Sequence, residues 1–225
     1  PVRTSAIALC RTPGMAAEEA YTMKIICIGQ NYRAHIAELQ HEVPEQPVFF
    51  FKPDTALLLR NRPFYLPEFS QEIHYETEVI LRISKVGKYI PEKYAEDFFD
   101  AVSLGFDFTA RDLQRRCVEK GLPWEISKSF DQSAAIGRWI PKSELPPVSA
   151  LHFHLNLNGN KVQEGFTGDM LFGVPRLISY VSQFMTLHMG DILFTGTPVG
   201  VGPVHIGDRL EATLEGQDVL RCEIK

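Results

Sequence analysis

The stretch that most constrains the fold is the last part of the chain, DILFTGTPVGVGPVHIGDRLEATLEGQDVLRCEIK, residues 191–225. Short apolar runs alternate there with glycine-bearing turns, as in successive strands joined by tight connections. No strand–helix alternation of the doubly wound type is present. The same strand-rich character recurs upstream. KIICIG and PVFFFKP read as extended, SLGFDFT as a strand, and HFHLNLNGNKVQEGF as a hairpin turning at Asn158-Gly159. Helices are fewer. NYRAHIAELQ reads as a short helix before Pro44, PEKYAEDFFDAV as a helix opened by proline, ARDLQRRCVEKG as an amphipathic helix stopped by Gly121, and VPRLISYVSQFMTL as a helix with an apolar stripe. The expected fold class is α+β and β-rich.

At 225 residues, 44% hydrophobic and 23% charged, the chain can bury one sizeable core. The loop-like EKGLPWEISKSFDQSAAIGRWIPKSELPP carries the apolar and aromatic residues of a packed segment, so no linker divides it. Residues 1–22 hold only the brief apolar piece AIALC, and Met23 opens a strand in MKIICIG. The expectation is a leader or cloning-derived segment at 1–22 and a single domain at 23–225. A native arm packing on a partner subunit is the alternative.

A formal net charge of −5 with scattered Lys and Arg gives no basic field. Nucleic acid is therefore not the expected partner, and a small molecule is. No apolar run approaches the roughly 18 residues of a membrane helix, so no membrane partner is expected. Cys10, Cys27, Cys117 and Cys222 lie far apart without CxxC or zinc-ligand spacing. They read as isolated thiols in a reducing compartment, and the chain as cytoplasmic.

Glu76 and Glu78 raise a question of their own. They sit two residues apart in IHYETEVILRI, residues 73–83, a run that otherwise reads as one buried strand with Ile73, Tyr75, Thr77, Val79, Leu81 and Ile83 on the opposite face. Side by side, two carboxylates repel and resist desolvation unless a cation lies between them. A third acid is at hand in Asp107, set between Phe106 and Phe108, where an unpaired carboxylate is costly. An all-oxygen set suits Mg²⁺, with Mn²⁺ or Ca²⁺ as alternatives, rather than zinc. On spacing alone a second reading stands equally, in which both glutamates face solvent on an amphipathic strand.

Other familiar sites fall away. There is no GxSxG elbow and no GxxxxGK[ST] loop, and HEVPE at 41–45 lacks the second histidine of HExxH. His152 and His154 of HFH share a strand face, but no third ligand is near in sequence, so they read as plain strand positions.

Taken in order, CIGQNYRAHIAEL, FFFKPDTAL, IHYETEV, FDFTARDLQ, GLPWEISKSFD and LFTGTPVGVGPV resemble the fumarylacetoacetate hydrolase family, nearest its short acylpyruvate hydrolase and oxaloacetate decarboxylase branch. The resemblance runs from about Met23 to the end. It implies a mixed β-sandwich roll of the family's C-terminal type, a homodimer, and a catalytic domain. It implies Glu76, Glu78 and Asp107 as Mg²⁺ ligands and His35 with Glu38 as a water-activating dyad, their i,i+3 spacing placing both on one helix face. Lys128 corresponds to a lysine facing the substrate oxygens. Arg111 and Gln114 correspond to a pair gripping the substrate's polar end, and Gly196 and Thr197 to a loop whose N–H and hydroxyl groups meet a carboxylate. Gln30 stands where relatives often carry arginine or a similar residue, which implies a different substrate preference.

The activity implied is Mg²⁺-dependent hydrolysis of a C–C bond in acylpyruvate-type 1,3-diketo acids such as fumarylpyruvate, through a metal-bound pyruvate enolate. Oxaloacetate decarboxylation on the same site needs the same enolate but no attacking water. Isomerases and decarboxylases of aromatic breakdown are a further possibility within the fold. A binding protein that captures keto acids without turnover would have little use for His35, Glu38 and Lys128 together.

Overall fold

The computed structural model describes residues 23–38, 42–59 and 61–225. The expectation for residues 1–22 lies outside them. The first half of the chain forms β1 (Ile25–Gly29), α1 (Arg33–Glu38), β2 (Val48–Lys52), β3 (Leu57–Leu59), β4 (Ile73–Tyr75), β5 (Thr77–Ile83), β6 (Phe99–Asp107), β7 (Thr109–Ala110) and α2 (Arg111–Lys120). Then come α3 (Glu125–Lys128), β8 (Ala134–Ile136), β9 (Ile140–Pro141), β10 (His152–Leu157), β11 (Asn160–Phe166) and α4 (Val174–Phe184). The last strands are β12 (Ile192–Phe194), β13 (Gly202–Pro203), β14 (Arg209–Leu214) and β15 (Gln217–Glu223).

Among the described residues, an eight-stranded sheet runs β2-β1-β12-β5-β6-β8-β3, with β9 also paired to β6. Only its β1/β12 and β3/β8 pairs are parallel. A four-stranded antiparallel sheet, β11-β10-β14-β15, lies over one face of it. Leu81, Val102, Leu104 and Phe106 of the large sheet interdigitate there with Phe153, Leu155, Leu210 and Leu220 of the smaller one. This is the β-rich α+β sandwich that the strand pattern requires. The opposite face of the large sheet carries a second, smaller apolar cluster of Ile25, Cys27, Ile80, Ala134, Ile192 and Phe194.

Local chemistry explains the element ends. Asn158 and Gly159 both have positive φ, at 52° and 82°, as the tight hairpin requires. Gly121 takes the left-handed conformation after α2, and its N–H reaches back to Cys117 O and Val118 O.

Two expectations are corrected. The run 73–83 is two strands, because the chain leaves one sheet for another at Glu76: β4 pairs with β7 and β13, and β5 with β12 and β6. Nor is β5 amphipathic, since both faces of the sheet are covered and only Arg82 escapes burial within it. The expected helix after Pro91 is a 3₁₀ segment, Glu92–Phe98, cut short because Phe99 onward is drawn into pairing with β5.

Candidate active site

Strand register assembles the acids. In the antiparallel β5/β6 pair, Glu78 lies opposite Gly105 and Thr77 opposite Phe106. The next residue pair is therefore Glu76 with Asp107, joined by Asp107 N–H donating to Glu76 O at 2.8 Å. Residues opposite one another share a face, so Glu76, Glu78 and Asp107 all project to the side of the smaller apolar cluster. Gly105 keeps that side open: a Cβ there would lie 2.6 Å from the Phe194 ring and 3.0 Å from Ala135 O. All three acids are at most 5% exposed, which overturns the solvent-facing reading of the glutamates. One oxygen from each lies within 4.8 Å of the others, and no other such cluster is present among the described residues.

Three buried bases face these acids. Lys128, at the end of α3, donates to Glu76 Oε2 at 2.7 Å, Asp107 Oδ2 at 2.9 Å and Thr109 Oγ1 at 2.6 Å. Lys52, at the end of β2, lies 2.8 Å from Asp107 Oδ1 and donates to Ser133 Oγ at 2.9 Å and to Lys128 O. Arg111 opens α2 and donates to Glu76 Oε1 at 2.6 Å, to Gln114 Oε1, and to His74 Nδ1 at 3.4 Å. Asp107 Oδ1 is ion-paired with Lys52 yet receives no hydrogen bond, so a buried carboxylate oxygen retains unused acceptor capacity.

The charges act on one another as the geometry dictates. Burial alone raises the Glu76 pKa, but Lys128 and Arg111 outweigh it and hold the carboxyl well below the usual range. Glu78 has no ion pair of its own among the described residues. Burial raises its pKa well above the ordinary value, and the charges of Asp107 and Glu76 push the same way, against a hydrogen bond from Gly196 N–H at 2.7 Å and the weaker pull of Lys128. Burial disfavours the Lys128 ammonium, but Asp107 and Glu76 reverse that and leave its pKa above that of an ordinary lysine.

His35 and Glu38 meet as their spacing on α1 predicts, Nδ1 to Oε2 at 2.9 Å. Buried His35 lines the same pocket as the acids, whereas Glu38 sits behind it, partly exposed, and also accepts from Gly200 N–H at 3.3 Å. The expected carboxylate-binding loop is engaged inside the protein. Gly196 N–H is given to Glu78, and the Thr197 hydroxyl gives its proton to Thr77 O at 2.9 Å. Gln114, Arg111 and Thr197 do line the pocket. Its remaining wall is apolar, formed by Ile28, Phe50, Val118 and Trp124 beside Gly29 and Gln30. His152 and His154 stand apart on β10, where the His152 ring stacks on Phe166 at 4.5 Å.

Sequence reasoning did not nominate Lys52, His74 or Gln163. A lysine inside VFFFK carries the same signal of costly burial that singled out Asp107. Gln163 carries none, because its partners Thr77, Thr197 and Pro198 are distant in the chain, and His74, bonded to nearby Glu72 at 2.9 Å, meets Arg111 only once α2 is folded against β4.

The family profile described as "Fumarylacetoacetate (FAA) hydrolase C-terminal" matches residues 24–225. The chain belongs to this family. Among its relatives, mitochondrial oxaloacetate tautomerase FAHD1 of Mus musculus is 41% identical over 89% of this chain and 91% of its own. The structure of fumarylpyruvate hydrolase from Pseudomonas aeruginosa, in complex with Mn²⁺ and pyruvate, superposes with a TM-score of 0.86 at 35% identity. That match covers 90% of this chain and 89% of the other. The structure of 5-carboxymethyl-2-hydroxymuconate delta-isomerase from Mycobacterium smegmatis gives 0.80 at 34% identity, covering 90% and 78%. Members of the family named among these relatives are thus enzymes, a tautomerase, a hydrolase and an isomerase. No helix among the described residues is long and apolar enough to cross a membrane.

Proposed function

We propose that this protein is a divalent-metal-dependent enzyme of α-keto acids, and that its reaction is hydrolysis of the C–C bond in acylpyruvates. The observation that carries the reading is the meeting, in one pocket, of three buried carboxylates, the lysine between them and His35, which Glu38 holds from behind.

The donor set fits a hard divalent cation: three carboxylates, close together, with unused acceptor capacity on Asp107 Oδ1. Glu76, Glu78 and Asp107 would hold it, with Mg²⁺ as the assignment and Mn²⁺ as the ion in the complex of the Pseudomonas aeruginosa enzyme. When bound, the ion supplies Lewis acidity and a template for the carboxylate and 2-keto oxygens of the substrate. Charge balance supports a doubly negative species in the pocket. Glu76, Glu78 and Asp107 are matched by Lys52, Arg111 and Lys128, so two further positive charges call for a dianion such as the enolate of pyruvate.

The chain's own groups divide the remaining work. His35, held by Glu38 through Nδ1, presents its other ring nitrogen as the acceptor for a proton of water. Hydroxide adds to the distal carbonyl, the C–C bond breaks, and its electron pair passes into the pyruvate enolate. The proton that His35 took is then returned to the enolate carbon, giving pyruvate and a carboxylic acid. Lys128 and Arg111, held beside the buried carboxylates, stabilise the negative charge that develops. Ile28, Phe50, Val118 and Trp124 suit an acyl chain without charge.

Oxaloacetate is the second reading, favoured by the name of the Mus musculus relative. Its tautomerisation and decarboxylation share the enol or enolate, and only hydrolysis consumes water. The buried, unpaired Cys27, Cys117 and Cys222 support a reducing compartment, cytoplasmic as first read or mitochondrial as the name of that relative has it. The test is a panel of acylpyruvates, fumarylpyruvate and oxaloacetate assayed with Mg²⁺ and again after EDTA. Metal-dependent release of pyruvate from an acylpyruvate is expected, and turnover of oxaloacetate alone would replace the hydrolase reading.

A further inference from the structure

Thr77 stands between Glu76 and Glu78, where the chain crosses from one sheet to another, and neither of its backbone polar groups is met by a neighbouring strand alone. Its N–H donates to Gln163 Oε1 at 3.1 Å. Gln163 Nε2 donates to Thr197 Oγ1 at 3.0 Å and to Pro198 O at 3.1 Å. The Thr197 hydroxyl completes the circuit by donating to Thr77 O at 2.9 Å. Gln163 is 2% exposed and comes from β11, in the sheet that packs over the other face of the fold. The amide orientation follows from its partners: the oxygen must face the Thr77 N–H, which leaves the nitrogen for the Pro198 carbonyl.

The two peptides tied by this circuit are the ones that flank the side chains of Glu76 and Glu78. The same loop supplies the Gly196 N–H to Glu78 and the Gly200 N–H to Glu38. Gly200 rests directly on β11, where a Cβ would lie 2.4 Å from Val162 O, at a φ of +99°. We infer that Gln163 is a positioning residue for the cation site, fixing the Glu76–Glu78 backbone and the 196–200 loop as one unit. The inference rests on the metal reading above. It adds a residue outside the pocket that sets how well the carboxylates converge.

Mn²⁺ alone is the probe, titrated calorimetrically into wild type, Gln163→Leu, Thr197→Val, the double variant and Thr197→Ser, each checked for folding by circular dichroism. Gln163→Leu keeps the volume and removes all three bonds, and is expected to weaken Mn²⁺ binding by about tenfold or more. Thr197→Val is expected to weaken it less, Thr197→Ser to stay near wild type, and the double variant to be no worse than Gln163→Leu, because one circuit is broken either way. A folded Gln163→Leu that binds Mn²⁺ within about twofold of wild type, or losses that multiply in the double variant, overturns the inference. If Gln163→Leu does not fold, Thr197→Val against Thr197→Ser decides it: equal affinities overturn it, and a loss confined to valine supports it. Wild type that binds no Mn²⁺ overturns the metal reading itself and the inference with it.

Discussion

At the scale of single residues, the division between His35 and Glu38 decides what their loss should do. His35 faces the pocket and Glu38 orients it from behind. His35→Asn is expected to lower acylpyruvate hydrolysis by roughly 10² to 10⁴, the usual effect of losing a general base, and Glu38→Gln by less. Decarboxylation of oxaloacetate, which needs no attacking water, should keep most of its rate in both. Steady-state kinetics on both substrates checks this, and equal losses would assign the dyad to something other than water activation. Glu78 gives a pH dependence with a definite sign. Burial and its acidic neighbours raise its pKa, so in the metal-free protein it keeps its proton at pH values where an ordinary glutamate has lost it. A cation needs the carboxylate, so binding releases that proton and Mg²⁺ affinity should rise with pH until the group is ionised. Calorimetry over a pH series should show that rise, and Glu78→Gln should bind more weakly with a flatter slope. The cost of burying an unpaired carboxylate nominated the acids, but spacing alone left a solvent-facing strand equally open for the glutamates, and the resemblance decided between them. Lys52 obeys the same rule within VFFFK. Gln163 could not be found that way, since an amide in a strand signals nothing until the loop it bonds is folded against it.

At the scale of elements, the site depends on how closely β6 packs against its neighbours. Gly105 lies opposite Glu78, and a methyl group there meets the Phe194 ring and Ala135 O. Gly105→Ala is expected to cost about 1–3 kcal/mol, as overpacking in a tight core does. Urea unfolding should show a lower midpoint at unchanged slope, and a midpoint equal to wild type would mean that the sheet yields there. The clearest sequence signals were local ones. The Asn158-Gly159 hairpin, α2 ending at Gly121 and α4 with its apolar stripe all depend on neighbours in the chain. The break at Glu76 was hidden because an unbroken period of two continues through a residue that changes sheets. The 3₁₀ turn before Phe99 was hidden for a similar reason: pairing with β5 claims residues whose local pattern suits a helix equally well.

For the whole molecule, the two-sheet sandwich buries the acids on one face and uses the other sheet only as support. The large sheet ends at β2, which pairs with β1 alone among the described residues. Its Phe49 and Phe51 rings lie 5.8 Å apart, and Phe49 lies 5.8 Å from Phe184 of α4, with Val48, Phe51 and Phe184 all exposed. An apolar edge of this kind suits a second copy, the homodimer that the resemblance implies. Light scattering should give twice the chain mass, and Phe51→Glu with Phe184→Glu should shift it to the mass of one chain. A wild type already at the mass of one chain would contradict the pairing. The function proposed for this protein rests on one cation at Glu76, Glu78 and Asp107. The most direct measurement is anomalous diffraction from a crystal soaked in Mn²⁺. The account predicts a peak bonded to one oxygen of each of the three carboxylates at about 2.0–2.6 Å, the range for hard cations. No peak at these residues, with Lys128 still bonded to Glu76 and Asp107, would contradict it.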